Sequence, residues 1–295
     1  MSKKHTHLLW IVINTCKLIY RYPWLLSVFF ILGGINYYYE VSIARPKQSY
    51  HGVPQAQQWH NSSAWFRILR NPHFMIGYSD LRGNPLWVSY QIQPVAKNSR
   101  SLKRPSSFKS DWRSLHRVKH KDYTGSGYDR GHMAPNYAIS RLYGKSAQLD
   151  SFFMSNITPQ RPKLNRKLWQ RLEEVEINYF TKLSDKIWVM TGTIFDDNSA
   201  HLKSAAHVKI PTAFYKIYIR EDNNETPYAL AFIMPQNVKG TEALTQYLST
   251  IDEIEQRTGL DFFSELEDGI EDKLEASILP KSWKLNAVAR LKSRY

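Results

Sequence analysis

The sequence predicts an α+β domain, a central and mostly antiparallel sheet flanked by helices, behind an N-terminal membrane helix. Three observations lead there. Runs rich in aromatic and β-branched residues alternate with segments of helical periodicity, in the order strands, helix, strands, helix. No internal repeat is visible, so the order describes one layered domain rather than a solenoid. Roughly the first 45 residues also differ in composition from all that follows, and 295 residues leave ample length for a real core beyond them.

The chain opens with the basic, polar "MSKKHTH", and the apolar stretch that follows is interrupted only by Lys17, Arg21 and Pro23. Its uncharged part, 23–39, is about 17 residues long, at the short end of a membrane span. Trp24 and Tyr37 to Tyr39 suit the two interfaces, and Lys3, Lys4, Lys17 and Arg21 all precede the span. That bias keeps the N-terminus in the cytoplasm and puts the remainder on the periplasmic or extracytoplasmic side. The other reading is a long signal sequence cleaved near Ala44, after the small residues of "SIA", which would release a secreted domain. Residues 8–20 form either a second short membrane helix or an interfacial one, and Lys17 opposes a full span. The organisation expected is therefore 1–45 anchor or signal, 46–63 polar linker, and 64–295 folded domain.

Within the domain, "WFRILRNPHFMIGYSD" and "LWVSYQIQPV" read as a hairpin turning at "RGNP". The stretch 97–121 is dense in Lys and Arg and lacks apolar periodicity, so it is a loop. Leu164, Leu168, Leu172, Val175 and Tyr179 recur at spacings of four, four, three and four, which marks an amphipathic helix. "DKIWVMTGTIF", "VKIPTAFYKIYIR" and "YALAFIMP" read as strands. "TEALTQYLSTIDEIEQRTG" reads as a second helix stopped by Gly259.

The net charge of +14 suits a polyanionic partner, nucleic acid or an anionic membrane surface. A single cysteine, Cys16, excludes an intrachain disulfide and any cysteine-based zinc site. Basic residues of the 97–121 loop, Lys97, Lys103, Lys109, Arg113 and Lys119, either grip backbone phosphates or form a solvated charged face.

Chemistry concentrates in "YDRGHMAPN", 128–136. There Gly131 is expected to let the backbone turn sharply beside His132. A neutral imidazole near pH 7 takes a proton from water. Arg130 supplies a planar fork that fits phosphate, or else it pairs with Asp129 or another carboxylate to shape the turn. HExxH motifs, cysteine pairs and clustered carboxylates of a two-metal centre are absent from the sequence. Asn156 and Asn165 flank a proline-marked helix entry in "SNITPQRPKLNRKLWQRLE". An amide oxygen is a hard neutral ligand that would leave magnesium mostly hydrated, whereas Asn165 could equally serve backbone donors at the helix start.

In this order, "DYTGSGYDRGHMAP", "SNITPQ", "LNRKLWQRLE", "TGTIF", "IPTAFYKI" and "IDEIEQRTGLDFF" resemble the DNA/RNA non-specific endonucleases, the ββα-metal nucleases. The resemblance covers roughly residues 60–265. It implies that His132 is the general base, Asn165 the metal-binding asparagine, Glu173 the helix glutamate and Asn156 an auxiliary residue of the site. The family's upstream arginine is matched by Arg104, followed by Phe108 and Asp111, with Arg100 as its substitute. Met133 and Arg166 depart from the residues usual in the family without removing a catalytic group. An ideal helix separates Asn165 from Glu173 by about 12 Å of rise and about 80° of rotation, so Glu173 is expected to act on the ion through water.

The activity expected from this resemblance is metal-dependent hydrolysis of DNA and RNA without sequence preference, with Mg²⁺, or Mn²⁺ in its place, on Asn165. Arg104 and Arg130 would hold the non-bridging oxygens. The partners are DNA, RNA and the membrane through 23–39, with a homodimer as a further expectation. Two rivals remain: a membrane-tethered nucleic-acid-binding protein on an inactive nuclease fold, and a phosphodiesterase for another substrate.

Overall fold

The structure, a computed structural model, describes residues 10, 13–15, 17–96, 99 and 102–293. Lys3, Lys4, Cys16, Lys97 and Arg100, and part of 8–20, lie outside the described residues. The chain divides into two compact units, 1–47 and 48–295. In the first, helix α1 spans Trp24–Tyr39 and is preceded by Pro23, whose fixed φ and missing N–H suit a helix start. A π-helical turn, Glu40–Ala44, continues it, so the small residues of "SIA" lie within helix. Together Trp24–Ala44 make 21 residues of mean hydropathy 1.2, long and apolar enough to cross a membrane by length and composition.

The second unit is built on a seven-stranded antiparallel sheet. Its first three strands are β1 (Arg67–Arg70), β2 (Phe74–Ser79) and β3 (Asn84–Ile92). The expected single hairpin is thus two, because "NPH" at 71–73 makes a further turn before the one at Gly83. A separate two-stranded ribbon, β4 (Asp129–His132) with β5 (Ile157–Gln160), lies outside this sheet. The sheet resumes with β6 (Ile187–Ile194), β7 (Ala213–Glu221), β8 (Pro227–Pro235) and β9 (Leu248–Ser249), giving the order β9-β8-β7-β6-β3-β2-β1. Pro211 separates β7 from a short strand at Ala205–Lys209 that the sequence reads as continuous with it.

Side chains alternate between two cores, as the two-residue strand period requires. Ile76, Val88, Tyr90, Val189, Phe214 and Tyr218 point to one face; Met75, Trp87, Trp188, Met190, Tyr215 and Ile217 point to the other. Trp87 shows how register is secured. Its neighbours on the flanking strands are Gly77 and Gly192. A Cβ on Gly77 would stand 2.1 Å from the Trp87 indole nitrogen.

Helix α2 (Asn136–Ser151), kinked at Gly144, and helix α3 (Gln170–Asn178), entered through a π-helical turn at Leu164–Trp169, cover the first face. Leu164, Leu168, Leu172 and Val175 are buried there as their spacing predicts, while Tyr179 ends the helix 40% exposed. Helix α2 is not expected from the sequence, where Gly144, at a φ of 78°, interrupts its pattern. Helices α4 (Ile251–Thr258) and α5 (Asp268–Glu275) serve the opposite face. The helix expected from 241 begins only at Ile251. Thr250 caps it by accepting from Glu253 N at 3.1 Å, and Leu248–Ser249 is drawn into the sheet against Ala231–Phe232. Gly259 ends it at a φ of 69°.

The stretch 46–63, expected as linker, is folded from Gln48 onward. Gln48 Nε2 donates to Asn71 O and Pro72 O, Tyr50 is buried, and Gln55–Ala56 pairs with Leu260–Asp261.

Candidate active site

The β4–β5 ribbon carries "DRGH" as a strand, not as the sharp turn expected. Gly131 is required for a different reason: a Cβ there would lie 2.1 Å from the Gln160 side-chain oxygen on β5. The ribbon ends with His132 opposite Ile157. Asn156 then fixes the exit. Its Oδ1 accepts from Ala134 N at 2.8 Å, and its Nδ2 donates to Ala134 O at 3.0 Å and Ser151 O at 2.9 Å. Asn156 is fully buried and faces backbone on all sides. It fixes the backbone two residues beyond His132.

A cavity of about 270 Å³ opens beside the ribbon, lined by Leu102, Arg104, Arg130, His132, Asn136, Tyr137, Asn165, Arg166, Gln170, Glu173 and Glu174. Of the six sequence-predicted site residues, His132, Arg104, Arg130, Asn165 and Glu173 meet here. The imidazole of His132 is 7% exposed and packs against Phe108 and Phe152, with ring centroids 5.3 and 4.9 Å away. Its Nε2 has no hydrogen-bond partner. Burial, seconded by the positive charge of Arg104, pushes its pKa down to about 3. The imidazole is therefore neutral across the physiological range, with one nitrogen uncommitted.

Asn165 sits in the π-helical turn that leads into α3. Its Nδ2 donates to Asp129 Oδ2 at 3.1 Å, which assigns the amide and leaves Oδ1 uncommitted in a residue that lines the cavity. Arg166 holds the same carboxylate by a fork, Nε to Oδ2 at 2.8 Å and Nη2 to Oδ1 at 2.7 Å. Asp129 is thus a brace between the ribbon and the helix entry. Its partner is Arg166, which the sequence reading passed over, and not Arg130. Arg130 instead donates through Nε and Nη2 to His120 O at 3.0 and 2.6 Å and through Nη2 to Thr124 Oγ1 at 3.0 Å. That ties the 120–124 turn to the ribbon and leaves Nη1 outside these bonds, in a residue that lines the cavity. Arg104 is exposed and stands over Phe152, 5.5 Å from the ring centroid.

Glu173 reaches the same cavity from the first turn of α3. Burial pushes its carboxyl up to about 8, Glu176 adds to the rise, and Lys216 and Arg104 oppose it. Behind it lies a fully buried network. Lys216 Nζ donates to Glu176 Oε2 at 3.0 Å, and Tyr218 and Tyr90 donate to the same carboxylate at 2.9 and 3.2 Å. Both ions have no exposure, yet each is paired and hydrogen-bonded.

The donor set fits a hard, largely hydrated divalent ion: one neutral amide oxygen held from behind by a carboxylate, with a second carboxylate near. Asn136, Tyr137, Gln170 and Glu174 also line the cavity; Gln170 and Glu174 carry no sequence signal beyond helical position, and Asn136 and Tyr137 carry none. Arg113, expected to grip phosphate, is committed elsewhere. Its Nη2 lies 2.7 Å from Oδ2 of buried Asp111, and it also donates to Arg70 O and Asn71 Oδ1. Lys103, Lys109 and Lys119 are exposed.

The family model for DNA/RNA non-specific endonucleases matches residues 53–269 of the chain. Mitochondrial endonuclease G of Homo sapiens is 31% identical over 202 residues, which cover 64% of this chain and 67% of that protein. A nuclease of Serratia marcescens is 30% identical over 206 residues, 66% of this chain and 75% of its own length. Among solved structures, the crystal structure of an EndoG/EndoGI complex is similar with a TM-score of 0.61 at 27% identity, covering 71% of this chain and 92% of that one.

Proposed function

The chain belongs to the DNA/RNA non-specific endonuclease family, and on that premise we propose that it hydrolyses phosphodiester bonds in both DNA and RNA in the cavity between the ribbon and α3. The observation that carries this reading is His132: a neutral, desolvated imidazole on the cavity wall whose buried Nε2 has no partner. The imidazole removes a proton from water as the water's oxygen attacks phosphorus, and the bond to the leaving oxygen breaks. Phe108 and Phe152 hold the ring, so little reorganisation accompanies the transfer. Arg104, exposed at the rim, binds non-bridging oxygens, and Arg130 adds its free Nη1 while its other donors keep the 120–124 turn in place.

Asn165 Oδ1 would hold Mg²⁺, or Mn²⁺ in its place, with Glu173 acting through the ion's water; when bound, such an ion supplies positive charge at the leaving oxygen. Lys103, Lys109 and Lys119 attract the polyanion without reading bases. Trp24–Ala44 anchors the protein, with the nuclease domain on the side of the membrane away from the N-terminus. The test is cleavage of plasmid DNA and of RNA by the purified full chain in detergent, with Mg²⁺ and after chelation. Ion-dependent loss of both substrates is expected. Binding without cleavage would leave only an inactive fold.

A further inference from the structure

The opposite face of the sheet carries a second constellation that the nuclease reading does not use. Asp252 and Glu255 project from α4, and Glu275 comes from the end of α5. Carboxylate oxygens of all three lie within 4.8 Å of one another. Asp252 is exposed at the mouth, whereas Glu255 and Glu275 are only 9% and 7% exposed. One oxygen of the Glu255 carboxylate accepts from Phe262 N at 2.6 Å. Glu275 Oε1 is buried and has no hydrogen-bond partner. Buried carboxylate oxygens without a donor are costly, and in native proteins they are paired or ligate a cation. The charged groups that act on these two glutamates are all acidic, with Asp261 and Glu271 adding to the cluster. That is unexpected in a chain of net charge +14.

We propose that Asp252, Glu255 and Glu275 bind a divalent cation of the calcium type, which clamps α4 to α5. Three converging carboxylates suit calcium, which accepts six to eight oxygens at flexible angles and about 2.3–2.6 Å. Magnesium demands a tighter octahedron and usually keeps most of its water, so it fits this set less well. Without a cation, burial and mutual repulsion push Glu255 up to about 7 and Glu275 up to about 9, a cost that a bound dication relieves. The site lies on the core face of Ile251, Ile254 and Leu274, not on the face of Leu164 and Leu168 that backs the cavity. It can therefore be probed without touching the residues proposed for cleavage.

The experiment uses the full chain in detergent, stripped with chelator, with Asn165→Ala as background so that the cavity contributes no ion. Calcium chloride is titrated by calorimetry and by thermal unfolding. A single calcium-binding event and a rise in Tm are expected, and Glu275→Gln in the same background should weaken binding at least tenfold and abolish the rise. In the otherwise natural chain, Glu275→Gln should leave Mg²⁺-supported plasmid cleavage within twofold. If Glu275→Gln fails to fold, exposed Asp252→Asn carries the same comparison, with a loss of at least severalfold. Absence of calcium heat and of any Tm shift in the Asn165→Ala chain overturns the proposal. So does a shift that survives both substitutions undiminished.

Discussion

Glu173 and Glu176 stand one turn apart on α3, and their surroundings differ in kind. Glu176 is enclosed, and every oxygen it presents meets a donor from Lys216, Tyr90 or Tyr218. Glu173 borders the cavity and is driven toward its protonated form by burial. The same division runs through the two asparagines. Asn156 exhausts its amide on backbone, while Asn165 commits its nitrogen to Asp129 and keeps its oxygen uncommitted. Groups with every atom matched hold the site's shape. Groups held from behind with one atom left over are the ones that can act on something that arrives. The second kind is His132, Asn165 and Glu173.

The comparison predicts where the largest effect falls. His132→Ala should lower cleavage by about 10²–10⁴-fold while sparing the fold and nucleic-acid binding. Circular dichroism and filter binding beside the rate assay check this, and normal cleavage by the folded variant would refute the role. The pH dependence sharpens it. A free histidine protonates near 6.5, and this one is held down to about 3, so cleavage should show no acid limb from His132 near pH 6.5. Because folding lowers this pKa, the unfolded chain binds the extra proton between about 3 and 6.5. The stability tied to His132 is therefore whole above pH 6.5 and declines as pH falls through that window. NMR titration of the ring checks the value directly; a midpoint near 6.5 in the folded chain would contradict it.

Next comes the matched network. Glu176→Ala strands the Lys216 ammonium in the core, and breaking such a pair from one side costs about 3–5 kcal/mol. Thermal or denaturant unfolding should show it, and a loss below about 1 kcal/mol would mean the pair is not as enclosed as it looks. Asn156→Ala leaves buried groups on Ala134 and Ser151 without partners, at roughly 1–3 kcal/mol each. It should lower stability and cleavage together. Loss of cleavage with unchanged stability would move Asn156 from the matched class to the acting one.

The motifs point to His132, Asn165 and Glu173, and the cavity brings all three together. The bracing was not legible. Asp129 meets Arg166 across 37 positions, and Lys216 meets Glu176 across 40, and neither separation leaves a trace in local periodicity. "DRGH" suggests a turn yet forms a strand, because its glycine answers to a side chain on the partner strand, Gln160, and not to its own φ. Strands with long apolar runs were found with the right type, since burial on both faces leaves few alternatives. Gln48 to Ser63 looked like linker because their composition is polar, yet their side chains and backbone are consumed by specific partners in the domain.

A smaller effect is expected at Glu173. If it acts on the ion through water, Glu173→Gln should slow cleavage by about tenfold, in the range by which partners outside direct ligation usually count. Folding raises its pKa from 4.5 to about 8, so the folded chain holds the extra proton between those values. Magnesium binding must displace that proton, and apparent affinity should rise with pH through this window. Glu173→Gln should flatten the rise. Titrations of Mg²⁺ against rate at several pH values decide it, and an unchanged dependence would detach Glu173 from the ion.

The gentlest effect tests the outermost layer, where the exposed lysines contrast with committed Arg113. Phosphate contacts release counterions, so log affinity falls linearly with log salt at about 0.9 per contact on duplex DNA. Replacing Lys103, Lys109 and Lys119 together with alanine should lower that slope by up to about 2.7 if each meets one phosphate. The change should be the same for duplexes of any sequence, because these residues reach backbone and not base edges. Arg113→Ala should act differently. Its guanidinium is already bound to Asp111, Arg70 O and Asn71, so its loss should reduce stability and leave the salt slope alone. Asp111, 1% exposed and still holding Ser155 Oγ at 2.6 Å, would then carry a buried charge without its cation. A slope that responds to Arg113 and not to the lysines would invert the assignment and make the 103–119 lysines an ordinary solvated surface.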